Sequence, residues 1–584
     1  MIPKFIFTSV SVVYASFLAL LVLPSAIATE VNFTACFAQI RNGDHGNIGG
    51  TDNQGHHISN IGEATAVIYE LCVTACGAGP EPFDWSVFSQ QFSSWLLPWL
   101  ALVSQLPFGA NDKFDNLESM LLTVGSPVLA AYSLALTLLN GRWITRLFSP
   151  HTHIPKAMNA LHVLNSLQQS PLIINTDDSL LISLVFLDEN EPWWAELDAW
   201  LDYTHTWSIA AVTSISWVVI AYLFTLIDSF HDITISINAN GQGVGLIWLW
   251  LLPIVLGWLQ ISPKCDSARL YRAVNRANKV AYVKTPSGAA VLASSISRQR
   301  AISLAVASLD QPVRRDELCT APIYNYARFF PWVQAVEEVE RVFRLADKQT
   351  RIPLSDDSEV GWEDQEKTAG DLRIRRMYTP SQVEARHLAL KRTVLRKQNH
   401  RDQDVWSRIF LASILALSLQ WGTTGAAIVA VWFTPTSGLG CRSGSYILYG
   451  GLSTVIWMML VLSSILSRYS TATTKSTFLT RTAAQLSIFL RRCGKVLAVF
   501  NTILVIASGI FQFSKFYDRC YCNSSVLGWG YKAFFVMQFN QEDMDQVERA
   551  WIGGVALAAG TAALFAGFIT LFLNPSPPSN PRSS

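Results

Sequence analysis

Charge is scarce in this chain. Only 15% of its 584 residues are Asp, Glu, Lys or Arg, 50% are hydrophobic, and the mean hydropathy is +0.27. That composition excludes an ordinary soluble protein of this length. The net charge of +1 excludes a nucleic-acid partner recruited by bulk electrostatics. Also missing are a P-loop, a G-x-S-x-G elbow, an H-E-x-x-H helix and a glycine fingerprint behind a strand. No ionisable residue falls near the middle of any long apolar stretch. Glu118, Asp228, Arg408 and Arg549 all sit at rims. Charge at membrane depth is costly and marks ion or proton paths, so its absence argues against a proton-coupled pump. Internal repeats are absent as well.

What the chain has is seven apolar stretches near the ~20 residues that a helix needs to cross a bilayer. They cover 117–139, 207–228, 244–262, 406–433, 446–467, 496–514 and 549–573. The expected fold class is therefore all-α, a polytopic membrane protein of about seven transmembrane helices. Its N-terminus would be lumenal or extracellular and its C-terminus cytosolic. Residues 1–28 read as a signal peptide, with Lys4, an apolar run and Ala26-Ile27-Ala28 as cleavage pattern.

Threading the stretches from a lumenal region 29–116 puts 140–206, 263–405, 468–495 and 574–584 in the cytosol. These carry 35 of the 44 Lys and Arg, whereas the lumenal pieces carry 6. That is the bias of the positive-inside rule. Both N-x-S/T sequons, at Asn32 and Asn523, fall on the lumenal side, as glycosylation requires. So do Cys36, Cys72, Cys76, Cys441, Cys520 and Cys522, the disulfide candidates, for which 15 pairings are open. Cys520 and Cys522 are expected to bond elsewhere, since a bridge between them would close a strained ring.

Residues 92–110 are expected to lie on the lumenal face as an interfacial or re-entrant piece, because Pro98 and Pro107 break a straight helix. Trp193, Trp194, Leu197, Trp200 and Leu201 are expected on a helix running straight into the second span, its aromatic face along the cytosolic interface. The loop 263–405 holds 25 basic and 18 acidic residues. Helices are expected over 266–280 and 328–348, disorder over 352–371, and a helix from Thr379-Pro380 into the fourth span. On that helix Arg386, Lys391, Arg392, Arg396 and Lys397 could attract anionic lipid. Gly554, Ala558, Ala562 and Ala566 form a small-residue row expected to pack helices. Ser126-Pro127, Gln420, Thr423 and Thr424 are polar exceptions suited to a kink or to interhelical hydrogen bonds.

Metal or catalytic candidates are weak. His45, His56 and His57 with Asp44 and Asp52 match no ligand spacing, and His151 with His153 fares no better. Asp543-Met-Asp545 and Asp402-Gln-Asp404 are three-residue coincidences. No catalytic, cofactor or metal residue is assigned.

Pro107-Phe-Gly-Ala110, the run Gly125-Ser-Pro-Val-Leu-Ala-Ala-Tyr to Asn140 with Arg142, Ser170-Pro171-Leu172 and Leu187-Asp188-Glu189-Asn190 resemble a group of multi-pass membrane proteins of filamentous fungi. The likeness implies an integral membrane protein and carries over no functional residue. Heptahelical receptors differ in detail. The third stretch ends Gln260-Ile-Ser-Pro263 without an acidic-arginine-aromatic triplet, and no stretch carries a retinal-binding Lys. The expected function is a non-enzymatic, receptor-like or scaffolding protein of the secretory pathway, at the plasma membrane or an endomembrane. Its partners would be the bilayer and a cytosolic protein docking on 263–405. The alternative is a transporter or channel for an uncharged or weakly charged solute.

Overall fold

A computed structural model describes residues 30–108, 113–175, 178–203, 208–231, 246–285, 289–296, 299–305, 315–350, 380–472 and 477–573, with the backbone alone over 380–402. The signal peptide, the stretch 352–371 and the side chains of Arg386, Lys391, Arg392, Arg396 and Lys397 lie outside the described residues.

Apolar helices dominate. In chain order they are α1 Phe33–Arg41, α2 Tyr69–Ala75, α3 Trp85–Val103, α4 Lys113–Gly125, α5 Pro127–Phe148, α6 Pro155–Ser166, α7 Asp178–Phe186 and α8 Glu191–Leu201. Then follow α9 Ile209–His231, α10 Leu251–Ile261, α11 Ser267–Ala277, α12 Asn325–Thr350, α13 Pro380–Trp432, α14 Cys441–Ala472, α15 Phe478–Phe513 and α16 Gln541–Leu573. Four of these, within α13 to α16, are long and apolar enough to cross a membrane. The pair α4–α5 makes a fifth if it counts as one crossing, but it is bent by 102°. The protein is thus a helical membrane protein.

The long helices overrun a ~30 Å bilayer core, for which ~20 residues suffice. α15 has 36 residues. It begins 18 residues ahead of the apolar stretch 496–514 because Thr477 makes a reciprocal capping box with Thr480. Much of the short basic loop 468–495 is therefore helix. α13 and α16 pack through small residues. A methyl on Gly422 would sit 2.3 Å from Thr561 Oγ1, and one on Gly554 3.1 Å from Ala426 O. Ala558 is fully buried in the same seam, while Ala562 and Ala566 are half-buried along it. Of the row expected to pack helices, Gly554 meets α13 directly and Ala558 is buried.

The middle of the chain departs from a simple bundle. α5 is buried without a break from Pro127 to Asn140. It is the axis of the molecule rather than a lipid-facing helix. α3 runs through Pro98 without ending, since a proline removes one helical hydrogen bond and the buried flank around it is held by packing. Its rings Phe88, Phe92, Trp95 and Trp99 stack in succession at 5.1, 6.1 and 6.2 Å. Trp95 lies against Gly509 and Phe513 of α15, and Trp99, Leu102 and Val103 are buried among the bundle helices. Residues 92–108 do not lie flat on one face. They pass into the bundle, and Leu106 to Phe108 end beside Ala321–Ile323. α10 spans only 11 residues, and 232–245, which include the start of the stretch 244–262, lie outside the described residues.

Two polar layers cover the ends. The first, the cap, joins residues 30–81 to 433–440 and 514–540. Strands β1 (Gly50–Thr51) and β2 (Ala66–Ile68) pair antiparallel, and β2 pairs with β7 (Phe534–Val536) in the register Ala66↔Val536. Disulfides link Cys36–Cys76, Cys72–Cys520 and Cys441–Cys522. The last two tie the N-terminal region and the start of α14 to the segment behind α15.

The second layer, the platform, is built from α6, α7, α8, α11 and α12. It also has ribbons β3 (Leu172–Ile174) with β6 (Ile302–Leu304) and β4 (Tyr282–Lys284) with β5 (Ala290–Leu292). Trp193 and Trp194 are completely buried here, edge to face at 4.7 Å. Their indole N–H groups donate to Asn278 Oδ1 and Leu184 O. The aromatic face of α8 is therefore the platform's own core and not an interfacial belt, with only Trp200 left exposed. α8 also stops at Leu201, before α9.

Candidate functional site: the helix break and the ionic clamp

The break between α4 and α5 leaves backbone carbonyls and amides without helical partners deep in the bundle. Unsatisfied backbone groups in an apolar medium cost several kcal/mol each. Here neighbouring side chains supply the partners. Tyr449 Oη donates to Val124 O (3.0 Å) and Asn501 Nδ2 to Gly125 O (2.7 Å), while Thr502 adds a bond to Leu121 O (3.0 Å), which is still within α4. On the α5 side, Ser126 caps the helix by accepting from Leu129 N, and Pro127 at the first helical position has no N–H to satisfy. Ser126 Oγ donates to Ser453 O at 2.9 Å. Gly125 is required by contact, since a Cβ there would fall 2.1 Å from Ala498 O.

From this break α4 leads to a cluster of charges where bundle and platform meet. Lys495 Nζ of α15 lies 2.5 Å from Asp316 Oδ1 and 2.6 Å from Glu118 Oε1. Tyr324 Oη donates to Glu118 and Tyr326 Oη to Asp316, each at 2.8 Å. Arg491 reaches Glu317 at 3.6 Å, and Arg315 reaches Asp115 at 3.0 Å. Burial raises the Asp316 carboxyl, but the Lys495 and Arg491 cations outweigh it and hold the group below the usual aspartate value. Nearby, the fully buried Arg328 donates to Gln169 Oε1, Ala321 O, Asn325 Oδ1 and Cys319 O. Burial pushes the free thiols of Cys265 and Cys319 up to about 11 and about 12. Both are thiols rather than thiolates at neutral pH.

The geometry suits bracing better than turnover. The cavity between Pro107, Ser119, Ser133, Trp258 and Pro322 measures about 20 Å³, the room of a single water. The clamp holds the platform to α4 and α15 through seven charged side chains from three segments: α4, residues 315–317 and α15.

The other sequence candidates are dispersed. Asn32 is exposed and caps α1 by accepting from Ala35 N. Asn523 is half-buried, accepting from Arg442. Asp543 accepts from Asn540 N and binds Asn53, and Asp545 accepts from Gln541, so this pair organises the start of α16. His56 pairs with Asp52 at 3.1 Å in an exposed turn. His151 and His153 meet Glu340 and Asp347 in the platform. No group of three or more metal-binding side chains occurs among the described residues. Gln420 donates to Thr424, and Thr423 to Leu419 O, so both bonds stay within α13 rather than joining helices. Ser126-Pro127 forms the break itself.

Sequence reading did not assemble the clamp. In the sequence Lys495 and Arg491 count only among the basic residues of 468–495, and Glu118 is a rim charge. The one available signal was a carboxylate at the edge of an apolar stretch that also holds Gly125-Ser126-Pro127. No protein-family model matches the chain, and no curated protein or solved structure matches it either.

Proposed function

We propose that the protein is a receptor-like or scaffolding component of a secretory-pathway membrane, the cap facing the lumen or exterior and the platform facing the cytosol. The observation that carries this reading is α15, one unbroken helix fixed in both layers. Beyond its cap end, Lys515 pairs with Glu81 at 3.1 Å, and Cys520 and Cys522 enter two disulfides. At its other end Arg491 and Lys495 hold the clamp. A displacement of the cap would be passed along a stiff rod to the platform, whose outer surface is free for a cytosolic partner.

The orientation rests on the same chemistry as before. All six bonded cysteines and both sequons belong to the cap, and the free Cys265 and Cys319 belong to the platform. In this reading α4 and α5, bent by 102°, form one crossing. With that crossing, the charge bias would place the platform in the cytosol.

Residues 263–350 pack on the bundle, so an isolated 263–405 fragment is the wrong probe. A photo-crosslinker placed at exposed Ile173, Tyr271 or Ile296 of the full-length protein in its native membrane should yield a discrete cytosolic adduct. Adducts to lipid alone at all three positions would overturn the partner surface. One observation favours a transporter instead, namely the broken helix pair at depth, which transporters use for binding. Here Val124 O and Gly125 O have side-chain donors, and Gly125 is closed by contact with Ala498. Solute flux into liposomes above background would nonetheless establish that second reading.

A further inference from the structure

α11 follows α10 by only five residues, the turn being made by Ser262 in the left-handed region at φ 51°. One face of α11 is closed: Leu270, Ala273, Val274 and Ala277 are buried in the platform. The other face is basic and exposed, with Arg269, Arg272, Arg276 and, just beyond, Lys279. Among the described residues no carboxylate lies within ion-pair distance of these four side chains. Asp266 is engaged at the helix N-terminus, accepting from Arg269 N at 3.0 Å, and Asp202 acts on Lys264. The nearby Asp198 pairs with His162.

Two aromatic rings continue the patch. Arg269 lies over Tyr203 at 3.8 Å and Arg276 over Trp200 at 4.2 Å. Tyr203 and Trp200 are the residues that lead from α8 into α9. The patch therefore sits where two bundle helices meet the platform, at the level at which indole and phenol rings favour lipid headgroups. The guanidinium groups of Arg269 and Arg276 lie over these rings, and Arg272 donates its Nε–H to Ala268 O, which leaves its terminal N–H groups for phosphate.

We propose that this face is a binding site for anionic phospholipid of the platform-side leaflet. Arg269, Arg272 and Arg276 take the phosphate and acidic headgroup, while Trp200 and Tyr203 lie at the glycerol level. Charge complementarity and continuity with α9 and α10 identify the occupant. The proposal rests on the membrane orientation given above.

The full-length protein is reconstituted into phosphatidylcholine vesicles carrying spin-labelled phosphatidylserine or spin-labelled phosphatidylcholine. The motionally restricted fraction of each gives the relative association. Wild type should prefer phosphatidylserine by at least roughly fivefold, the factor that a single basic side chain contributes near the surface. The triple variant Arg269→Gln, Arg272→Gln, Arg276→Gln should fall towards parity with an unchanged melting temperature, since all three side chains are exposed. The proposal is overturned if the triple variant keeps the preference. It is also overturned if the preference disappears only when Arg386, Lys391, Arg392, Arg396 and Lys397 are neutralised, or if inorganic phosphate at matched ionic strength competes as well as lipid does. A protein that separates from the vesicles in alkaline carbonate would refute the membrane reading itself, a distinct outcome.

Discussion

Replacing Asp316 by Asn removes one negative charge from the clamp at nearly constant volume. In the wild type, Asp316 is buried, accepts from Tyr326 and lies 2.5 Å from Lys495. Deleting one partner of a buried ion pair typically costs 3–5 kcal/mol, because the other charge is stranded. Lys495 keeps Glu118 at 2.6 Å and is partly exposed, and the Asn carbonyl still accepts from Tyr326. The expected loss is therefore about 2 kcal/mol, or about 4 °C in melting temperature. A thiol-reactive fluorophore suits the measurement. Cys265 and Cys319 lie in this layer, and their thiols, pushed up to about 11 and about 12 by burial, stay unreactive until the platform opens. Cys493 on α15 is first replaced by Ala.

The pH dependence has a definite sign. Because Asp316 is held below its ordinary value, its contribution is complete above that value and is lost as pH falls through its lower folded-state pKa. The difference between variant and wild type should stay constant from about pH 5 to 8 and shrink only below about pH 4. Equal melting temperatures at pH 7, or a difference that varies between pH 5 and 8, would refute the reasoning.

Three further outcomes are expected. Gly125→Ala should prevent normal folding or lower stability by more than about 3 kcal/mol through overpacking, whereas Gly560→Ala, with nothing within 4 Å of its added methyl, should be neutral. Fluorescence-detected size exclusion after a heating series separates the two. Asn501→Ala should cost about 1–3 kcal/mol by leaving Gly125 O without its donor, and Thr502→Val should cost less, since Leu121 O is still within α4. Mass spectrometry of the unreduced protein should find peptides joined as Cys72–Cys520 and Cys441–Cys522. Cys72→Ser should lower stability by up to about 5 kcal/mol because the loop it closes is long.

Much of this architecture is legible from composition. The four long helices α13 to α16 cover the last four apolar stretches, because ~20 apolar residues in water have few alternatives to a membrane helix. The cysteines that the charge bias places on one side are the six that pair, yet no spacing could choose among the pairings. Cys72 finds Cys520 across 448 residues through tertiary folding alone. The region 92–148 is only partly legible in the sequence, for a physical reason. Pro98 signals a helix stop, yet buried packing carries the helix through, whereas Ser126-Pro127 signals a kink but not its depth, a full break that side chains of α14 and α15 satisfy. The clamp was hidden because Glu118, Asp316 and Lys495 are far apart in sequence. α8 looked interfacial because an aromatic face reads alike whether it meets lipid or a protein core.

The most direct test is sidedness. In sealed microsomes with the cytosolic face outward, single cysteines at Asp44 in the cap and Lys279 in the platform are challenged with a membrane-impermeant maleimide. Both native residues are exposed. Lys279→Cys should label at once, and Asp44→Cys only after detergent. Labelling of both before detergent, or of Asp44→Cys alone, would contradict the account.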